Sequence, residues 1–549
     1  MLRCTLGSRA GRIMARERWG SKLGVIMAVA GSAIGLGNFL RFPVQAAQNG
    51  GGAFLIPYFV ALFLLGLPLM WIEWTIGRFG GGFGHSTAPG MFHTLWNKNR
   101  FIKYFGVIGV FGPLVIYIYY VYVESWLLGY AWFSVTGQYN ACTTQESMKV
   151  FLSGYQGAAD NPYFSGLGTA YLFFLVTFAA NIVVLYLGVQ RGIEAVCKYG
   201  LPVLLVLGVV LMVRVFTLGA PDPAVPENNV VNGLGFLWNP NWGMLGHLGH
   251  WDVGGASIPY WLPNAKVWLA AAGQIFFTLS VGFGVILTYA SYLTPKDDVA
   301  LSGLTAVAAN ELAEVVIGGS IVIPAAFAFF GAVATAEIAS SGTFNLGFVT
   351  MPLVFQKMAA GGLFGLAWFV LLFIAGITSS ISLAQPAIAF LEDEFDLSRR
   401  EAVLVFGLNT FILCHAVIFF FDKGVLDELD FWGVNVCLAV FGLLETILFA
   451  WVFGMERAWT ELHIGSDITI PRSYRFVIKY VTPLFLATML VFWMVQQGPA
   501  VIMMKDVPPE NRGYLLGTRL LLAALLVNLV VLVWMAWRRR ARHAQEVRP

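Results

Sequence analysis

The feature that most constrains the fold of this chain is a series of long apolar stretches that runs through almost the whole sequence. About twelve stretches can be counted, near 22–47, 53–79, 101–136, 169–187, 197–217, 264–293, 300–332, 361–391, 399–421, 430–454, 475–497 and 514–537. An α-helix needs about 20 apolar residues to cross the hydrocarbon core of a bilayer. With 58% of its residues hydrophobic and 11% charged, the chain carries more apolar surface than a soluble domain can bury. The sequence therefore predicts an all-α membrane protein with about 12 transmembrane helices.

Small and polar residues interrupt two of these stretches near their centres. The first stretch contains Gly31–Arg41, the sixth contains Phe277–Gly284, and each opens a group of five stretches. Backbone that unwinds at membrane depth needs partners for its polar groups, and glycine costs a helix about 1 kcal/mol relative to alanine. Taken singly, each interruption could merely let a neighbouring helix pack closely. The matched pair instead indicates a transporter site between two inverted repeats.

Basic residues are concentrated at both ends of the chain and in alternate loops. Because cytoplasmic loops are rich in lysine and arginine, this bias predicts a multi-pass protein of the cell inner (plasma) membrane with both termini in the cytoplasm. The expected divisions are a cytoplasmic N-terminal tail (1–21), a first five-helix repeat (22–217), an outer loop (218–263), a second five-helix repeat (264–454), two further helices (455–537) and a basic cytoplasmic tail (538–549).

Glu73 and Glu314 are the more telling carboxylates of the chain, because each lies inside a predicted span, where charge is expensive and points to function. Glu73 is expected to accept hydrogen bonds from backbone amides that the first interruption frees, and Glu314 lies in the seventh stretch. For either residue, a neutral glutamic acid in a helix interface remains an alternative.

The sequence argues against an enzyme. Only His415 of the seven histidines falls within a span, and no catalytic Ser/His/Asp set or phosphate-binding glycine loop is recognisable. His247 and His250, with Asp252, have a spacing that could hold a metal ion, but on a glycine-rich loop a chance spacing is the favoured interpretation.

Several ordered motifs resemble the neurotransmitter:sodium symporter family, and most closely its bacterial amino-acid transporters. They are Arg-Glu-Arg-Trp-Gly at 16–20, Gly-Leu-Gly-Asn-Phe-Leu-Arg-Phe-Pro at 35–43, Gln-Asn-Gly-Gly-Gly-Ala-Phe at 48–54, Gly-Gln-Ile-Phe-Phe-Thr-Leu-Ser at 273–280, Ala-Gly-Ile-Thr-Ser-Ser at 375–380 and Leu-Asp-Glu-Leu-Asp-Phe-Trp at 426–432. The resemblance covers nearly the whole chain from about residue 16. It implies the LeuT-type fold, a 5+5 inverted repeat with unwound first and sixth helices followed by two C-terminal helices.

The same resemblance implies two sodium ions as co-transported cofactors. The first site would consist of the Ala33 carbonyl, the side chains of Asn38, Thr278 and Asn310, and the substrate carboxylate. The second would consist of carbonyls of Gly31, Ile34 and Ala375 and the hydroxyls of Thr378 and Ser379. Oxygen ligands suit a hard cation, although an asparagine alone could equally make an interhelical hydrogen bond.

The family's substrate pocket maps onto thirteen residues, Ser32, Ala33, Gly35, Leu36, Gly37, Ile116, Tyr120, Phe277, Thr278, Ser280, Phe283, Ser379 and Leu383. Family members that transport monoamines carry aspartate where this chain has Gly35, so the pocket is expected to take an amino acid that brings its own carboxylate. Taken singly, the apolar members of this set could be ordinary core residues.

By resemblance, two charge pairs gate the pathway. They are Arg41 with Asp430 on the outside and Arg16 with Asp393 on the inside, supported by Gln274 and Tyr292. Without the resemblance, Arg41 and Asp430 could be snorkelling residues at span ends. Glu314 occupies the position of a serine in chloride-dependent members, so no chloride requirement is expected.

These observations predict a sodium-coupled secondary active symporter that imports a neutral, mainly aliphatic amino acid by alternating access. A non-transporting amino-acid sensor of the same fold is the alternative, although no signalling domain follows the last span. The expected partners are the small neutral amino acid, sodium ions and the lipid bilayer, with a homodimer possible and no nucleic acid.

Overall fold

The computed structural model describes residues 19–159, 161–240, 250–253, 256–259, 265–340, 342–496 and 498–546. Its long helices are α1 (Lys22–Ala33), α2 (Gly37–Gln48), α3 (Gly51–Gly81), α4 (Ile102–Thr136), α5 (Gly168–Tyr186), α6 (Val189–Phe216), α7 (Ala265–Leu279), α8 (Val285–Ala290), α9 (Val299–Gly331), α10 (Gly361–Phe395), α11 (Arg399–Phe419), α12 (Val425–Val452), α13 (Ser473–Val495) and α14 (Arg512–Glu546). Shorter helices include Ala88–Leu95, Gln145–Tyr155, Val230–Trp238 and Met455–Leu462.

The predicted all-helical membrane architecture is confirmed. Within the described part of the chain, ten helices are long and apolar enough to cross a bilayer, and α1 with α2 forms an eleventh span bent by 44°. The sixth predicted stretch is instead divided into α7, with 15 residues, and α8, with six, so neither piece reaches across a bilayer alone. The count of twelve spans therefore remains a prediction.

The first interruption separates α1 from α2 at residues 34–36. Ile34 leaves the helical region with φ −76° and ψ 86°, although its N–H still donates to the Ala30 carbonyl at 2.7 Å. The chain then re-enters a helix through a widened turn at Gly37–Arg41. Such turns are frequent at functional sites because they free backbone groups from the regular ladder.

The second interruption lies between α7 and α8. Gly282 and Gly284 have positive φ values of 77° and 75°, which glycine adopts without a steric penalty, and Ser280 also has a positive φ of 53°. The Gly282 N–H donates to Glu73 Oε1 at 2.5 Å. The expectation that Glu73 serves the first interruption is thus wrong, because α3 packs its Glu73 face against α8 and not against α1.

In the segment predicted to be an outer loop, β1 (His250–Val253) and β2 (Ala256–Pro259) form an antiparallel hairpin, with His250 opposite Pro259. His247 of the possible metal spacing lies outside the described residues. Among the residues that the structure does describe, no group of three or more His, Cys, Asp or Glu side chains is arranged to hold a metal ion.

Close packing of α3 on α8 depends on Gly77. A Cβ atom at this position would lie 2.3 Å from the Leu287 carbonyl oxygen and 2.7 Å from the Ala290 Cβ, so alanine does not fit without a shift of the backbone. Gly77→Ala should therefore destabilise the fold by about 1–3 kcal/mol through overpacking.

The measurement is the unfolding temperature of the purified protein in detergent. Gly168→Ala is the matched control, because no atom lies within 4 Å of a Cβ built at the start of α5. Equal unfolding temperatures for the two variants would contradict the packing argument.

Candidate functional site

The two interrupted segments meet at a cavity in the interior of the helix bundle. Its walls come from the first interruption, from α7 and the second interruption, and from α4 and α10. The lining residues are Ser32, Ala33, Gly35, Leu36, Gly37, Asn38, Ile116, Tyr120, Phe277, Thr278, Ser280, Phe283, Ser379 and Leu383. All thirteen residues predicted for the pocket are brought together here, and Asn38 joins them.

Backbone donors and a hydroxyl converge at the first interruption. The Leu36 N–H points at the Tyr120 hydroxyl at 3.5 Å, and the Gly35 N–H donates to Asn38 Oδ1 at 2.8 Å. Free N–H groups at the start of a helix form a ready site for an anion. This end of the cavity is therefore suited to a carboxylate.

Two glycines at this interruption are required by close approach. A Cβ at Gly35 would lie 2.7 Å from Ser379 Oγ, and a Cβ at Gly37 would lie 2.5 Å from the ring of Phe277. Because neither position has a side chain, backbone atoms line the cavity there. A side chain as large as aspartate at position 35 would have to displace Ser379.

The residues predicted for the first sodium site lie in contact with one another. Asn38 Nδ2 donates to Asn310 Oδ1 at 2.8 Å. The same terminal atom of the Asn310 amide lies 3.2 Å from the carbonyl oxygens of both Ala33 and Thr278. When oxygen occupies that position, three oxygens face one another with no proton between them, an arrangement that a cation stabilises. When the amide is turned, its nitrogen donates to both carbonyls.

Glu314 lies directly behind these ligands and is fully buried. It accepts hydrogen bonds from Gln274 Nε2 at 2.8 Å and Asn38 Nδ2 at 3.2 Å, and also from the Thr278 hydroxyl. Burial among neutral donors makes the ionised form of this carboxylate costly, and a nearby cation would stabilise that form.

A second carboxylate in this region was missed in the sequence. Glu311 accepts a hydrogen bond from the Tyr58 hydroxyl at 3.0 Å, next to Asn310 and one turn before Glu314. The signal was present, since a charged residue within an apolar stretch is by itself a pointer to function.

The residues predicted for the second sodium site lie where α1 crosses α10. A Cβ built at Gly31 would lie 3.4 Å from Thr378 Cβ, an ordinary contact distance, so the two helices are adjacent at this point. The Thr378 hydroxyl donates to the Ala375 carbonyl at 3.1 Å, and Ser379 Oγ donates to the Ser32 carbonyl at 3.3 Å. Ile34, the fifth predicted ligand, follows the last turn of α1, where the chain leaves the helix.

A second cavity, of about 350 Å³, adjoins the first and shares Leu36, Gly37, Tyr120 and Phe277 with it. Arg41 and Asp430 both line it, yet within the described chain they do not form an ion pair. Arg41 instead stacks over the Phe277 ring at 4.5 Å, and Asp430 accepts a hydrogen bond of 2.6 Å from the Tyr119 hydroxyl. Tyr119 was missed in the sequence, where adjacent tyrosines in an apolar helix indicate only packing.

Gln274 contacts Glu314 through its amide nitrogen, so its observed hydrogen bond goes to the buried carboxylate and not to Arg41 or Asp430. The reason is its position on α7, one turn before Thr278. In the sequence this neighbour of the interruption was assigned to support of the gating pairs, a role that remains a prediction.

Of the predicted inner gate, Arg16 lies outside the described residues. Its predicted partner Asp393 accepts a hydrogen bond from the Ser86 N–H at 2.7 Å, and the Tyr292 hydroxyl accepts one from Gln385 Nε2 at 2.8 Å. Trp19 packs edge-on against Tyr292, with 6.3 Å between ring centroids. Aromatic packing therefore closes this end of the bundle around the predicted gate.

The C-terminal arginines contact the end of α10. Arg539 donates to the Phe395 carbonyl at 2.6 Å, and Arg540 donates to Glu394 Oε1 at 2.9 Å, at the end of α10 beside Asp393. Sequence reasoning used these residues only as a topology signal, because their distance along the chain from α10 hides the contact.

Comparisons with known proteins agree with this geometry. The sequence profile of the sodium:neurotransmitter symporter family matches residues 16–151 and 161–539. An uncharacterised sodium-dependent transporter of Methanocaldococcus jannaschii is 32% identical over 493 residues, which cover 87% of this chain and 90% of the relative. Sodium-dependent nutrient amino acid transporter 1 of Drosophila grimshawi is 25% identical over 529 residues, covering 88% and 77%.

Among solved structures, a crystal structure of MhsT in complex with L-phenylalanine is similar, with a TM-score of 0.71 and 29% identity. The match covers 87% of this chain and 99% of that chain. The predicted LeuT-type fold is thereby confirmed, as is the expectation of a transporter and not an enzyme. Because the family profile matches most of the sequence, this chain belongs to the sodium:neurotransmitter symporter family.

Proposed function

We propose that this protein is a sodium-coupled secondary active symporter that imports a neutral, mainly aliphatic amino acid by alternating access. In this proposal it lies in the cell inner membrane with both termini in the cytoplasm. The observation that carries the proposal is the cavity that both interrupted segments bound, with backbone donors at one end and apolar side chains at the other.

The proposed amino acid lies with its carboxylate toward the Leu36 and Gly37 amides and the Tyr120 hydroxyl. The ammonium group is received by carbonyl oxygens near Phe277 and Ser280, where α7 ends and the chain leaves the helix. Because Gly35 supplies no carboxylate, the substrate itself contributes the negative charge that the first sodium ion requires.

The side chain of the substrate is proposed to face Ile116, Phe283 and Leu383. These three residues are at least 93% buried and offer no hydrogen-bonding group, so a charged or amide side chain would lose several kcal/mol of hydration without compensation. Neutral apolar amino acids avoid this cost. The phenylalanine bound to MhsT and the amino-acid transport named for the Drosophila relative support the general class of substrate.

Two sodium ions are proposed to bind beside the substrate. The contacts among Asn38, Thr278 and Asn310 support the first site, and the adjacency of Gly31 and Thr378 supports the second. Neutral oxygen ligands hold sodium weakly enough for release, while Glu314 supplies fixed negative charge behind the first ion.

The proposed outer gate closes when Arg41 leaves the Phe277 ring and pairs with Asp430. Both side chains already line the second cavity, so the movement required is local. On the inner side, Asp393 with Arg16, and Tyr292, are proposed to seal the pathway until sodium and substrate are bound.

The first test of this function removes the hydroxyls of the second sodium site. In proteoliposomes with an inward sodium gradient, Thr378→Val combined with Ser379→Ala should abolish sodium-dependent uptake of labelled alanine or leucine, because carbonyl groups alone fill the coordination shell poorly. Thr410→Val is the matched control, since its hydroxyl donates to the Phe406 and Gly407 carbonyls, which belong to its own helix.

Unchanged sodium dependence in the double variant would overturn the site assignment. Binding of the amino acid by the unmodified protein without uptake, whatever the gradient, would instead favour the sensor.

The second test concerns chloride. Replacing Glu314 with serine removes the fixed charge behind the first sodium site, so uptake by Glu314→Ser should fall in gluconate and recover in chloride. The measurement compares initial uptake rates in the two salts at equal sodium concentration. Chloride dependence of the unmodified protein would contradict this explanation.

The third test concerns the size of the substrate. Ile116→Val removes one methylene from the cavity wall, which is worth about 1–3 kcal/mol at most, so larger aliphatic amino acids should gain up to about tenfold over alanine in competition assays. Ile118→Val is the control, because Ile118 is buried on the same helix away from the cavity. Best competition by glutamate or lysine, or an unaltered size ranking, would refute the pocket assignment.

A further inference from the structure

Three polar residues on three helices meet behind the proposed second sodium site, and the proposed function gives none of them a role. Asn181 on α5 donates through Nδ2 to both carboxyl oxygens of Glu124 on α4, at 3.2 and 3.3 Å. Its own oxygen accepts a hydrogen bond of 2.7 Å from the hydroxyl of Ser380 on α10. All three side chains are 0% exposed.

The contact with α10 is shaped to fit the carboxylate. Gly376 lies one turn before Ser380, and a Cβ there would be 3.0 Å from Glu124 Cγ, so only a glycine lets Glu124 approach without a shift. Positions i and i+4 share one face of a helix, so Gly376 and Ser380 form one face of α10 toward α4 and α5.

The residues proposed to bind sodium belong to the same two turns of α10, with Thr378 on the opposite side of the helix and Ser379 on the flank of the Gly376–Ser380 face. Thr378 lies against Gly31 of α1, and Ser379 donates to the Ser32 carbonyl. A rotation of α10 about its axis would therefore move both hydroxyls away from α1. The contact of Ser380 with Asn181 opposes such a rotation.

A buried polar group in a membrane protein is costly unless its hydrogen bonds are made, and breaking one partner leaves the others unsatisfied. Glu124, Asn181 and Ser380 thus form a hydrogen-bonded chain that tolerates one relative arrangement of α4, α5 and α10. Glu124 also lies one turn after Tyr120, so the same helix carries both the substrate-facing tyrosine and this chain.

We propose that Glu124 is a positioning residue for the second sodium site. Acting through Asn181 and Ser380, it holds α10 in the rotation that directs Thr378 and Ser379 at α1. It does not contact sodium or the substrate. The inference rests on the proposed function and extends it to a residue outside both sites.

The experiment measures sodium and amino-acid dependence separately in proteoliposomes. Ser380→Ala and Glu124→Leu should raise the sodium concentration for half-maximal uptake by about fivefold, the loss expected for one hydrogen bond. The KM for the amino acid at saturating sodium should stay within about twofold, since the substrate groups are untouched. Glu124→Gln keeps an oxygen that accepts from Asn181, and should behave as the unmodified protein.

A second readout does not depend on transport. Sodium alone, without amino acid, should raise the unfolding temperature of the unmodified protein and of Glu124→Gln, and should do so less for Ser380→Ala. Ser125→Ala is the matched control, because Ser125 is equally buried next to Glu124 and bonds only to the Tyr122 carbonyl of its own helix.

The outcomes separate this inference from the proposed function. If the unmodified protein shows no sodium response, the proposed function fails. If it responds and Ser380→Ala matches it in both readouts, the positioning role alone is refuted. A Glu124→Gln variant as impaired as Glu124→Leu would also overturn it, because the charge and not the hydrogen bond would then be what matters. Should Glu124→Leu fail to fold, the smaller change Ser380→Ala still decides.

Discussion

The architecture of this transporter depends on one constraint, that polar backbone groups inside a bilayer must find partners within the protein. Two helices that stop inside the bundle leave such groups free, and each break is served differently. At the first break, the side chains of Asn38 and Tyr120 accept hydrogen bonds from the backbone amides of Gly35 and Leu36. At the second, Glu73 reaches from α3 to the Gly282 amide. The groups that remain between the two breaks are the ones available to a ligand.

Charge in the site is arranged so that cations complete it. Glu314 is buried among Gln274, Asn38 and Thr278, which are neutral donors. Neutral donors reduce the cost of a buried carboxylate but cannot cancel its charge. A sodium ion beside Ala33 and Asn310 would do so, and the carboxylate would in turn strengthen the binding of the ion. This mutual stabilisation is the physical basis for the proposal that Glu314 takes the place of a bound anion.

Features that depend on neighbouring residues in the sequence could be predicted, whereas features that depend on contacts between distant residues could not. The spanning helices and both breaks were predicted, since hydrophobic length and glycine content are local properties of the sequence. The residues around the cavity followed from ordered motifs. Contacts between distant parts of the chain were not predicted. Glu73 accepts a hydrogen bond at the second break because α3 packs on α8, and Arg41 stacks on Phe277. The division of the sixth stretch into α7 and α8 was visible as an interruption, but the lengths of the two pieces were not.

The cavity and the proposed ion sites share atoms, which gives a physical origin for coupling. Ala33, Asn38 and Thr278 belong both to the cavity wall and to the proposed first sodium site, and Ser379 belongs to the wall and to the second. When one ligand binds and orders these side chains, less conformational entropy is lost on binding of the other ligand. Linkage requires the effect to be reciprocal, so sodium should tighten amino-acid binding by the same factor by which the amino acid tightens sodium binding. In a symporter this reciprocity disfavours the transport conformational change when only sodium or only the amino acid is bound, because either ligand alone leaves some of the shared side chains without a partner.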